Sequence, residues 1–294
     1  MKREAFAAMA AGRVLFLDGA MGSNLTKMGM PKNICVEAWI LEHGNLVQEL
    51  QRQYQQAGSD IIYAPTFAAN RISLRKHGRA EEIRKLNMGL VELSRRAVGP
   101  DTLLAGDMTT TGELLEPLGD LEEEELAEVY REQASVLAEA GVDLLVAETM
   151  LSVAETEVAL KAALEVCSLP VICTLTVQED GRALFGGTAE EAVRVLQELG
   201  ASAVGVNCSV GPDQLLPVVE RMKKAAKVPL AVKPNAGHPV ADSQGNPVYE
   251  MTPDEFAGHM KRLVEAGADL VGGCCGTTPE FIRALRREIP ERKA

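Results

Sequence analysis

A seven-residue pattern that joins the end of a helix to a buried strand occurs four times along the chain. Its copies are Gln56–Ile62, Glu139–Leu145, Glu198–Val204 and Glu265–Val271. Each copy has glycine at its third position and aliphatic residues at its end. Glycine just past a helix end adopts the left-handed conformation that stops the helix, and a short loop then leads into the next strand. The pattern therefore predicts repeated helix–strand units.

Eight short apolar segments are candidate strands. They are Val14–Asp18, Ile61–Thr66, Leu103–Asp107, Leu144–Glu148, Val171–Thr176, Ala203–Asn207, Leu230–Pro234 and Leu270–Gly273. Most lack strict alternation of polar and apolar residues, which is typical of parallel strands buried on both faces. Eight strands alternating with amphipathic helices predict an α/β fold, a (β/α)8 TIM barrel formed as one domain by residues 1–294. The alternative is a doubly wound open sheet, but Asp18–Gly22 lacks the glycine-rich phosphate turn that commonly follows its first strand.

Composition excludes several functional classes. The formal net charge of −12 repels phosphate backbones, so we expect no nucleic-acid partner. Arg13 and Asp18 interrupt the apolar N-terminal stretch, which argues against a signal peptide. No run reaches the roughly 18 apolar residues of a membrane span. These features predict a cytoplasmic protein with no membrane partner.

Polar residues collect where the predicted strands end. In TIM barrels the carboxyl ends of the strands carry the active site. The alternative is that strand ends merely tolerate polar residues, which accounts less readily for thiols at two of them. The residues at these ends are Asp18, Gly19, Thr66, Asp107, Glu148, Thr149, Asn207, Cys208, Asn235, Cys274 and Cys275.

Three of the six cysteines could meet at this end of the barrel. Cys208 follows the sixth strand and the pair Cys274-Cys275 follows the eighth, so only one strand separates them. Three thiolates leave the fourth position of a tetrahedral zinc ion open, as in catalytic sites. A substrate thiol bound there would be held as a thiolate. A disulfide between the adjacent cysteines, or three buried thiols without metal, are the competing interpretations.

The remaining cysteines and the histidines carry weaker signals. Cys173 in the middle of a strand and Cys167 near a helix end are expected to belong to the core. Among the histidines, only His238, beside the seventh strand, is placed to approach the site, and a solvent-exposed position is the simpler expectation for it. The glycine- and proline-containing stretch 236–253 has no helical period, and we expect a mobile flap over the barrel mouth.

Four segments resemble the homocysteine S-methyltransferase family: Asp18–Gly22, Gly205–Ser209, Lys233–Gly237 and Gly272–Pro279. The resemblance implies a (β/α)8 barrel that transfers a methyl group to homocysteine and forms methionine. It also implies a Zn2+ ion held by Cys208, Cys274 and Cys275. By the same resemblance, Glu148 binds the substrate amino group, Asn207 and Asn235 line the pocket, and Asp18 and Gly19 form part of its floor.

The methyl donor is a separate question. Asp18–Gly22 looks most like the family branch that includes the homocysteine-binding module of cobalamin-dependent methionine synthases, although Pro65 and Met108–Thr111 depart from that branch. The chain has no Asp-x-His-x-x-Gly corrinoid signature. We therefore expect methylcobalamin to be supplied by a partner corrinoid protein. The alternatives are a small donor such as S-methylmethionine and, from another class, a non-catalytic zinc or redox sensor.

Overall fold

Eight parallel strands form the central sheet of the computed structural model, which describes residues 1–208, 210–243 and 247–289. The barrel strands are β1 (Leu15–Phe16), β2 (Ile61–Tyr63), β3 (Leu103–Met108), β4 (Leu144–Met150), β5 (Val171–Leu175), β6 (Ala203–Asn207), β7 (Leu230–Lys233) and β10 (Leu270–Val271). Their order is β1-β10-β7-β6-β5-β4-β3-β2. A parallel bridge between Leu17 and Ile61 joins the two ends of the sheet. The predicted TIM barrel is confirmed, and the open doubly wound sheet is excluded.

The helices follow the strands in alternation. They are α1 (Arg3–Gly12), α2 (Gly22–Lys27), α3 (Val36–Glu42), α4 (Gly44–Ala57), α5 (Arg71–Arg75), α6 (Ile83–Val98), α7 (Glu123–Glu139), α8 (Val153–Val166), α9 (Ala189–Leu199), α10 (Leu216–Ala225), α11 (Pro253–Glu265) and α12 (Pro279–Glu288), with a 3-10 turn at Ala80–Glu82. A two-stranded hairpin of β8 (Val240–Ala241) and β9 (Pro247–Val248) lies between β7 and α11. Among the described residues, no helix is long and apolar enough to cross a membrane.

All eight predicted strands are present. The observed strand ends differ most from the predicted ones next to the site. The eighth strand stops at Val271 rather than Gly273, because the chain leaves the sheet there to form the cysteine turn. The fourth strand continues to Met150 with a register shift after Ala147. Such a bulge redirects the side chains beside it, and here it lies at Glu148 and Thr149.

The four glycines of the repeat have the predicted left-handed conformation. Their φ angles are 106° at Gly58, 86° at Gly141, 102° at Gly200 and 116° at Gly267. Each is followed, three residues later, by the first residue of a strand. The repeat is therefore confirmed as the signal that ends a helix and starts an even-numbered barrel strand.

The residue two positions after each glycine locks the register of the barrel. Its backbone N–H donates to the carbonyl of a residue near the start of the preceding strand, and its side-chain oxygen accepts from the N–H of that same residue. This reciprocal pair occurs for Asp60 with Phe16, Asp143 with Leu104, Ser202 with Val171 and Asp269 with Leu230. Each odd strand is thereby fixed against the even strand that follows it.

Two hydrophobic layers surround this sheet. Strand side chains that point outward pack against the helices in the larger cluster, which includes Cys173. Strand side chains that point inward form a second cluster with Phe6 and Ala10 of α1. Helix α1 thus closes the amino-terminal end of the barrel. The opposite end remains available for a functional site.

Replacing Asp143 tests the register lock. Asp143→Ala removes the acceptor for Leu104 N–H and should lower the free energy of unfolding by about 1–3 kcal/mol, the cost of an unsatisfied buried donor. Urea unfolding followed by circular dichroism measures the change. Asp143 also pairs with Arg95 at 2.7 Å. Asp143→Asn weakens that ion pair but keeps the acceptor, so it should retain most of the stability. Equal losses in both variants would assign the effect to Arg95 instead.

Candidate functional site

Three thiols converge at the carboxyl-terminal end of the barrel. The sulfurs of Cys208, Cys274 and Cys275 all lie within 4.8 Å of one another, and those of Cys208 and Cys275 are 3.9 Å apart. Cys208 directly follows β6 and has a left-handed backbone with φ of 61°. Cys274 and Cys275 lie in a turn rather than in a strand. The turn explains how two adjacent side chains reach the same cluster.

A hydrogen-bond network holds the cysteine turn against the loop that follows β1. The Thr277 hydroxyl donates to the carbonyl of Cys274 at 2.8 Å and accepts from Ala20 N–H at 3.1 Å. The Asn24 amide donates to the carbonyls of Ala20 and Thr277, both at 2.8 Å. A side chain at Gly273 would collide with Thr277, so glycine is required at that position. The turn is fixed without help from a metal.

Asn207 connects the thiols to β4. Its Oδ1 atom accepts from Thr149 N–H and from the Thr174 hydroxyl, both at 2.8 Å. Its Nδ2 atom donates to the Thr149 hydroxyl at 2.7 Å and lies 4.0 Å from the Cys274 sulfur. Thr149 has a positive φ of 58°, a strained conformation for a β-branched residue. Asn207 therefore stabilises the bulge beside Glu148.

Buried charges lie beneath the thiols. The Lys233 ammonium is 3.2 Å from Asp18 Oδ1 and 3.8 Å from Glu148 Oε2. It also lies 4.5 Å from the centre of the Tyr63 ring. Asp107 is buried beside Glu148. Apart from these ion pairs with Lys233, Glu148 Oε2 and Asp18 Oδ1 have no hydrogen-bond partner, so each could accept a hydrogen bond from a ligand.

Burial and the charge of Lys233 together determine the pKa values of the carboxyl groups in this cluster. Burial raises the pKa of Glu148 to about 7, although Lys233 opposes the shift. Burial and the neighbouring Glu148 raise the pKa of Asp107 well above its usual range. Burial disfavours the charged form of Lys233, but the facing carboxylates of Glu148 and Asp18 outweigh it and raise the lysine pKa. Burial also raises the pKa of Asp18, against the effect of Lys233. When Asp107 is protonated and Asp18 and Glu148 are both ionised, the cluster carries one negative charge in excess of Lys233.

One cavity of about 380 Å³ joins the thiols to these charges. Asp18, Gly19, Glu148 and the three cysteines form its inner wall. Its wall also includes an apolar region and the titratable side chains of Tyr63, Lys233, Glu37 and His77. The apolar side chains include Met30, Ile34, Ile40 and Phe67.

Not every predicted residue lies on the cavity wall. Asn207 and Asn235 are buried behind it, and Asn235 Oδ1 has no hydrogen-bond partner. The expectation that only His238 among the histidines could approach the site was wrong, because His77 lines the cavity and His238 is solvent-exposed. The α5 segment after β2 folds over the mouth, which the local sequence does not reveal.

Lys233 is a site residue that the sequence reasoning did not assign. Its signal was present: a lysine ends the otherwise apolar strand Leu230–Lys233, and an unpaired buried lysine is costly. Tyr249 was also missed. Its ring lies against Gly276, next to Cys275, although Tyr249 and Gly276 are 27 residues apart in the sequence.

The donor set fits a zinc ion. In a tetrahedral site with Zn–S bonds of about 2.3 Å, the sulfurs are roughly 3.8 Å apart, close to the separation of Cys208 and Cys275. The three thiols interact closely: Cys208 and Cys274 lower the pKa of Cys275, and the pKa values of Cys208 and Cys274 are raised. The buried Asn235 Oδ1 atom adds an oxygen acceptor without a partner.

The predicted flap is a hairpin. Strands β8 and β9 pair antiparallel, with Val240 opposite Val248, and α11 begins at Pro253 with a capping box formed by Thr252 and Glu255. Residues 244–246, at its tip, lie outside the described residues. Motion of this hairpin stays a prediction.

Comparisons with known proteins agree on one family. The sequence profile of the family described as homocysteine S-methyltransferase matches residues 15–289. Methionine synthase from Mycobacterium leprae is 30% identical over 297 residues, covering 95% of this chain and 24% of that protein. Methionine synthase from Mycobacterium tuberculosis is 29% identical over 304 residues, covering 96% of this chain and 25% of that protein. This chain thus spans about a quarter of the length of these two relatives.

A solved structure shows the same fold. The metallated form of the homocysteine methyltransferase MmuM from Escherichia coli superimposes with a TM-score of 0.80 at 23% identity. The match covers 96% of this chain and 98% of that chain. At this identity the likeness supports the barrel architecture.

Removing one thiol tests the metal fit. Cys208→Ser replaces a soft thiolate with a weak oxygen ligand, so zinc affinity should fall by at least roughly 10–100-fold, the loss seen when even an outer contact to a ligand is removed. Competition with a chromogenic chelator measures the affinity. Cys167→Ser, at the end of α8, is the matched control and should bind zinc normally. Full zinc affinity in Cys208→Ser would contradict the assignment.

Proposed function

Because this chain belongs to the homocysteine S-methyltransferase family, we propose that it is a zinc-dependent enzyme that methylates homocysteine to methionine. The zinc ligands are Cys208, Cys274 and Cys275. The observation that carries the proposal is the cavity that joins three clustered thiols to the buried carboxylate of Glu148, whose Oε2 atom accepts no hydrogen bond. This arrangement suits a ligand with a thiol at one end and an ammonium group at the other.

Zinc, when bound, lowers the pKa of a coordinated thiol and so supplies a thiolate nucleophile near neutral pH. The side chains of this protein then position the substrate sulfur. The cysteine turn is held by Thr277 and Asn24, and Cys208 is held through its own N–H, which donates to the Lys233 carbonyl at 3.1 Å. A rigid ligand set keeps the substrate sulfur in one position.

Glu148 binds the substrate ammonium in this proposal. Its Oε2 atom is buried, lines the cavity and lacks a hydrogen-bond partner. With Asp107 protonated and both Asp18 and Glu148 ionised, the cluster with Lys233 carries one excess negative charge. One ammonium group neutralises it, whereas a neutral or anionic ligand leaves a buried charge uncompensated. Lys233 therefore limits the pocket to a single added cation.

The backbone of Gly19–Ser23 lines the other side of the cavity. Consecutive backbone N–H groups in a glycine-containing turn can bind an anion. This segment is the proposed contact for the substrate carboxylate. The amino acid is then held at three points: its sulfur, its ammonium group and its carboxylate.

The methyl transfer needs no protein acid or base once the thiolate is present. The sulfur lone pair forms the new S–C bond while the bond from carbon to the leaving atom breaks, and the leaving atom keeps its electron pair. What the protein supplies is alignment, with the reacting atoms about 3–3.5 Å apart. The donor must therefore reach the thiols through the cavity mouth.

The proposed donor is a methyl-corrinoid presented by another protein. Exposed large hydrophobic side chains support it, because exposed apolar patches commonly mark interaction surfaces. Within the described part of the chain, all six such residues lie on segments that follow β1, β3, β5 and β7, at the same end of the barrel as the thiols. They are Met28, Leu118, Leu184, Phe185, Val240 and Val248, and we call them the apolar rim.

A second candidate is a small methyl donor such as S-methylmethionine. The cavity favours it, because about 380 Å³ exceeds what homocysteine alone would occupy. The apolar wall formed by Met30, Ile34 and Phe67 leaves space for a second small molecule. In that case the apolar rim takes no part in transfer.

A non-catalytic zinc or redox sensor is the remaining alternative. Cobalt substituted at the thiols distinguishes it from an enzyme. Homocysteine should change the thiolate-to-cobalt absorption if its sulfur enters the coordination sphere. An unchanged spectrum at saturating homocysteine would contradict the enzymatic proposal.

Glu148→Gln should weaken homocysteine binding by about 1.5–3 kcal/mol, the scale of a hydrogen bond to a charged group. Only the ionised carboxylate pairs with an ammonium group, and the pKa of Glu148 is about 7. Wild-type affinity should therefore fall as the pH is lowered from 8 to 6, and the variant should lose this part of the pH dependence. Isothermal titration with the zinc-loaded protein measures both effects.

The exposed Glu125 on α7 provides the control for this substitution. Glu125→Gln should keep the wild-type affinity and pH profile, and both variants should keep their zinc. Unchanged homocysteine affinity in Glu148→Gln would make Glu148 a structural residue.

A substitution in the apolar rim distinguishes the two proposed methyl donors. Leu184→Asp places a charge on a side chain that is 58% exposed and distant in sequence from the ligands. It should slow methyl transfer from a methylated corrinoid protein but leave transfer from free methylcobalamin unchanged. Methionine formation is measured with each donor. Rapid turnover of S-methylmethionine, with none of either corrinoid, would favour the small donor.

A further inference from the structure

Asp107 places a third carboxyl group on the wall of the cavity, together with those of Asp18 and Glu148. The residue is only 4% exposed, and its Oδ1 atom accepts no hydrogen bond from the described part of the chain. A buried polar atom without a partner is costly. A ligand that supplies the missing hydrogen bond would therefore be favoured at this position.

The strand register directs the Asp107 side chain into the barrel. Ala105, two residues earlier on β3, belongs to the inward-pointing cluster, and side chains two residues apart along a strand share a face. On the neighbouring strand β4, Asp107 lies opposite Val146, which belongs to the same cluster. The carboxyl groups of Asp107 and Glu148 thus reach one cavity from the ends of adjacent strands.

Threonine hydroxyl groups fix the backbone at both strand ends. The Thr66 hydroxyl donates to the Asp107 carbonyl at 2.8 Å and accepts from Asp107 N–H at 3.0 Å. The Thr109 hydroxyl donates to the Glu148 carbonyl at 2.8 Å. The end of β3 is therefore held by its backbone and by Thr66, and the Asp107 Oδ1 atom is not needed for that purpose.

Three carboxyl oxygens in the cavity match the three N–H donors of a primary ammonium group. Apart from the ion pairs of Asp18 and Glu148 with Lys233, the atoms Asp18 Oδ1, Asp107 Oδ1 and Glu148 Oε2 have no hydrogen-bond partner among the described residues. Burial raises the pKa of Asp107 well above its usual range. A protonated carboxyl group still has a carbonyl oxygen that accepts a hydrogen bond.

We propose that Asp107 is a further substrate-binding residue, which accepts one hydrogen bond from the substrate ammonium and, with Asp18 and Glu148, selects a primary ammonium over an N-methylated one. The inference rests on the proposed function, because it concerns the ammonium group of the same substrate. An N-methyl group removes one N–H donor and places carbon against a buried oxygen. That oxygen then lacks a donor in the complex, which weakens binding.

Isothermal titration of the zinc-loaded wild-type protein tests this selectivity without a methyl donor. The ligands are homocysteine, N-methylhomocysteine and 4-mercaptobutanoate, which has no amino group. N-methylhomocysteine should bind about 10–100-fold more weakly than homocysteine, the range that one hydrogen bond to a charged group spans. Equal affinity for these two ligands would overturn the inference, and this measurement needs no variant.

Asp107→Ala removes the acceptor and makes room for a methyl group. It should weaken homocysteine binding about 10–100-fold, reduce the preference for homocysteine over N-methylhomocysteine, and not weaken the binding of 4-mercaptobutanoate. Asp107→Asn keeps an oxygen acceptor in a side chain of similar shape, so it should retain more of the homocysteine affinity. Asp101→Ala makes the matched substitution at an exposed residue before β3 and should change none of these affinities.

The comparison of ligands separates substrate binding from a structural role. Equal losses for homocysteine and 4-mercaptobutanoate in Asp107→Ala would make Asp107 a structural residue and contradict the inference. Unchanged homocysteine affinity in that variant would contradict it as well, while leaving the proposed function intact. Wild-type protein that binds none of the three thiols would instead refute the proposed function, and the inference with it.

Discussion

The site depends on the register of the barrel strands, and reciprocal hydrogen bonds fix that register at the opposite end of the molecule. Asp60, Asp143, Ser202 and Asp269 each pair with both backbone groups of one residue near the start of the preceding strand. A slip of one residue would turn every strand side chain to the other face. Because β6 and β10 are fixed in this way, their last residues arrive at the same height and the three thiols can meet.

Charge balance governs the interior of the site. Three buried carboxyl groups share one lysine, and burial raises the pKa of Asp107, Asp18 and Glu148 while Lys233 opposes the shift. Buried charges are tolerated when they are paired, so in the proposed function an ammonium ligand pairs with the carboxylate charge that Lys233 leaves uncompensated. Lys233 is therefore as important to the proposed substrate binding as Glu148. Its removal would leave the carboxylates to take up protons, because neutralising them by protonation is then the lower-energy arrangement.

Contacts within the protein hold the backbone around the thiols. Cys208 adopts a left-handed backbone, and Asn207 stabilises a second strained residue, Thr149. Strain of this kind persists where the surrounding contacts enforce it. The backbones of the other two cysteines are held by hydrogen bonds, from the Thr277 hydroxyl to the Cys274 carbonyl and from Ala236 N–H to the Cys275 carbonyl. A metal ion would thus enter a largely prepared set of ligands.

The sequence by itself determined the helix ends, the eight strands and the identity of the clustered thiols. Those features depend on local conformational preference and on a repeat that alternates with fixed spacing, both of which can be read along the chain. The tertiary structure alone decided that Lys233 lies between Asp18 and Glu148, that His77 rather than His238 lines the cavity, and that the Tyr249 ring lies against Gly276. These contacts join residues from different loops. Loop paths over the barrel mouth depend on packing between distant segments, which no local pattern specifies.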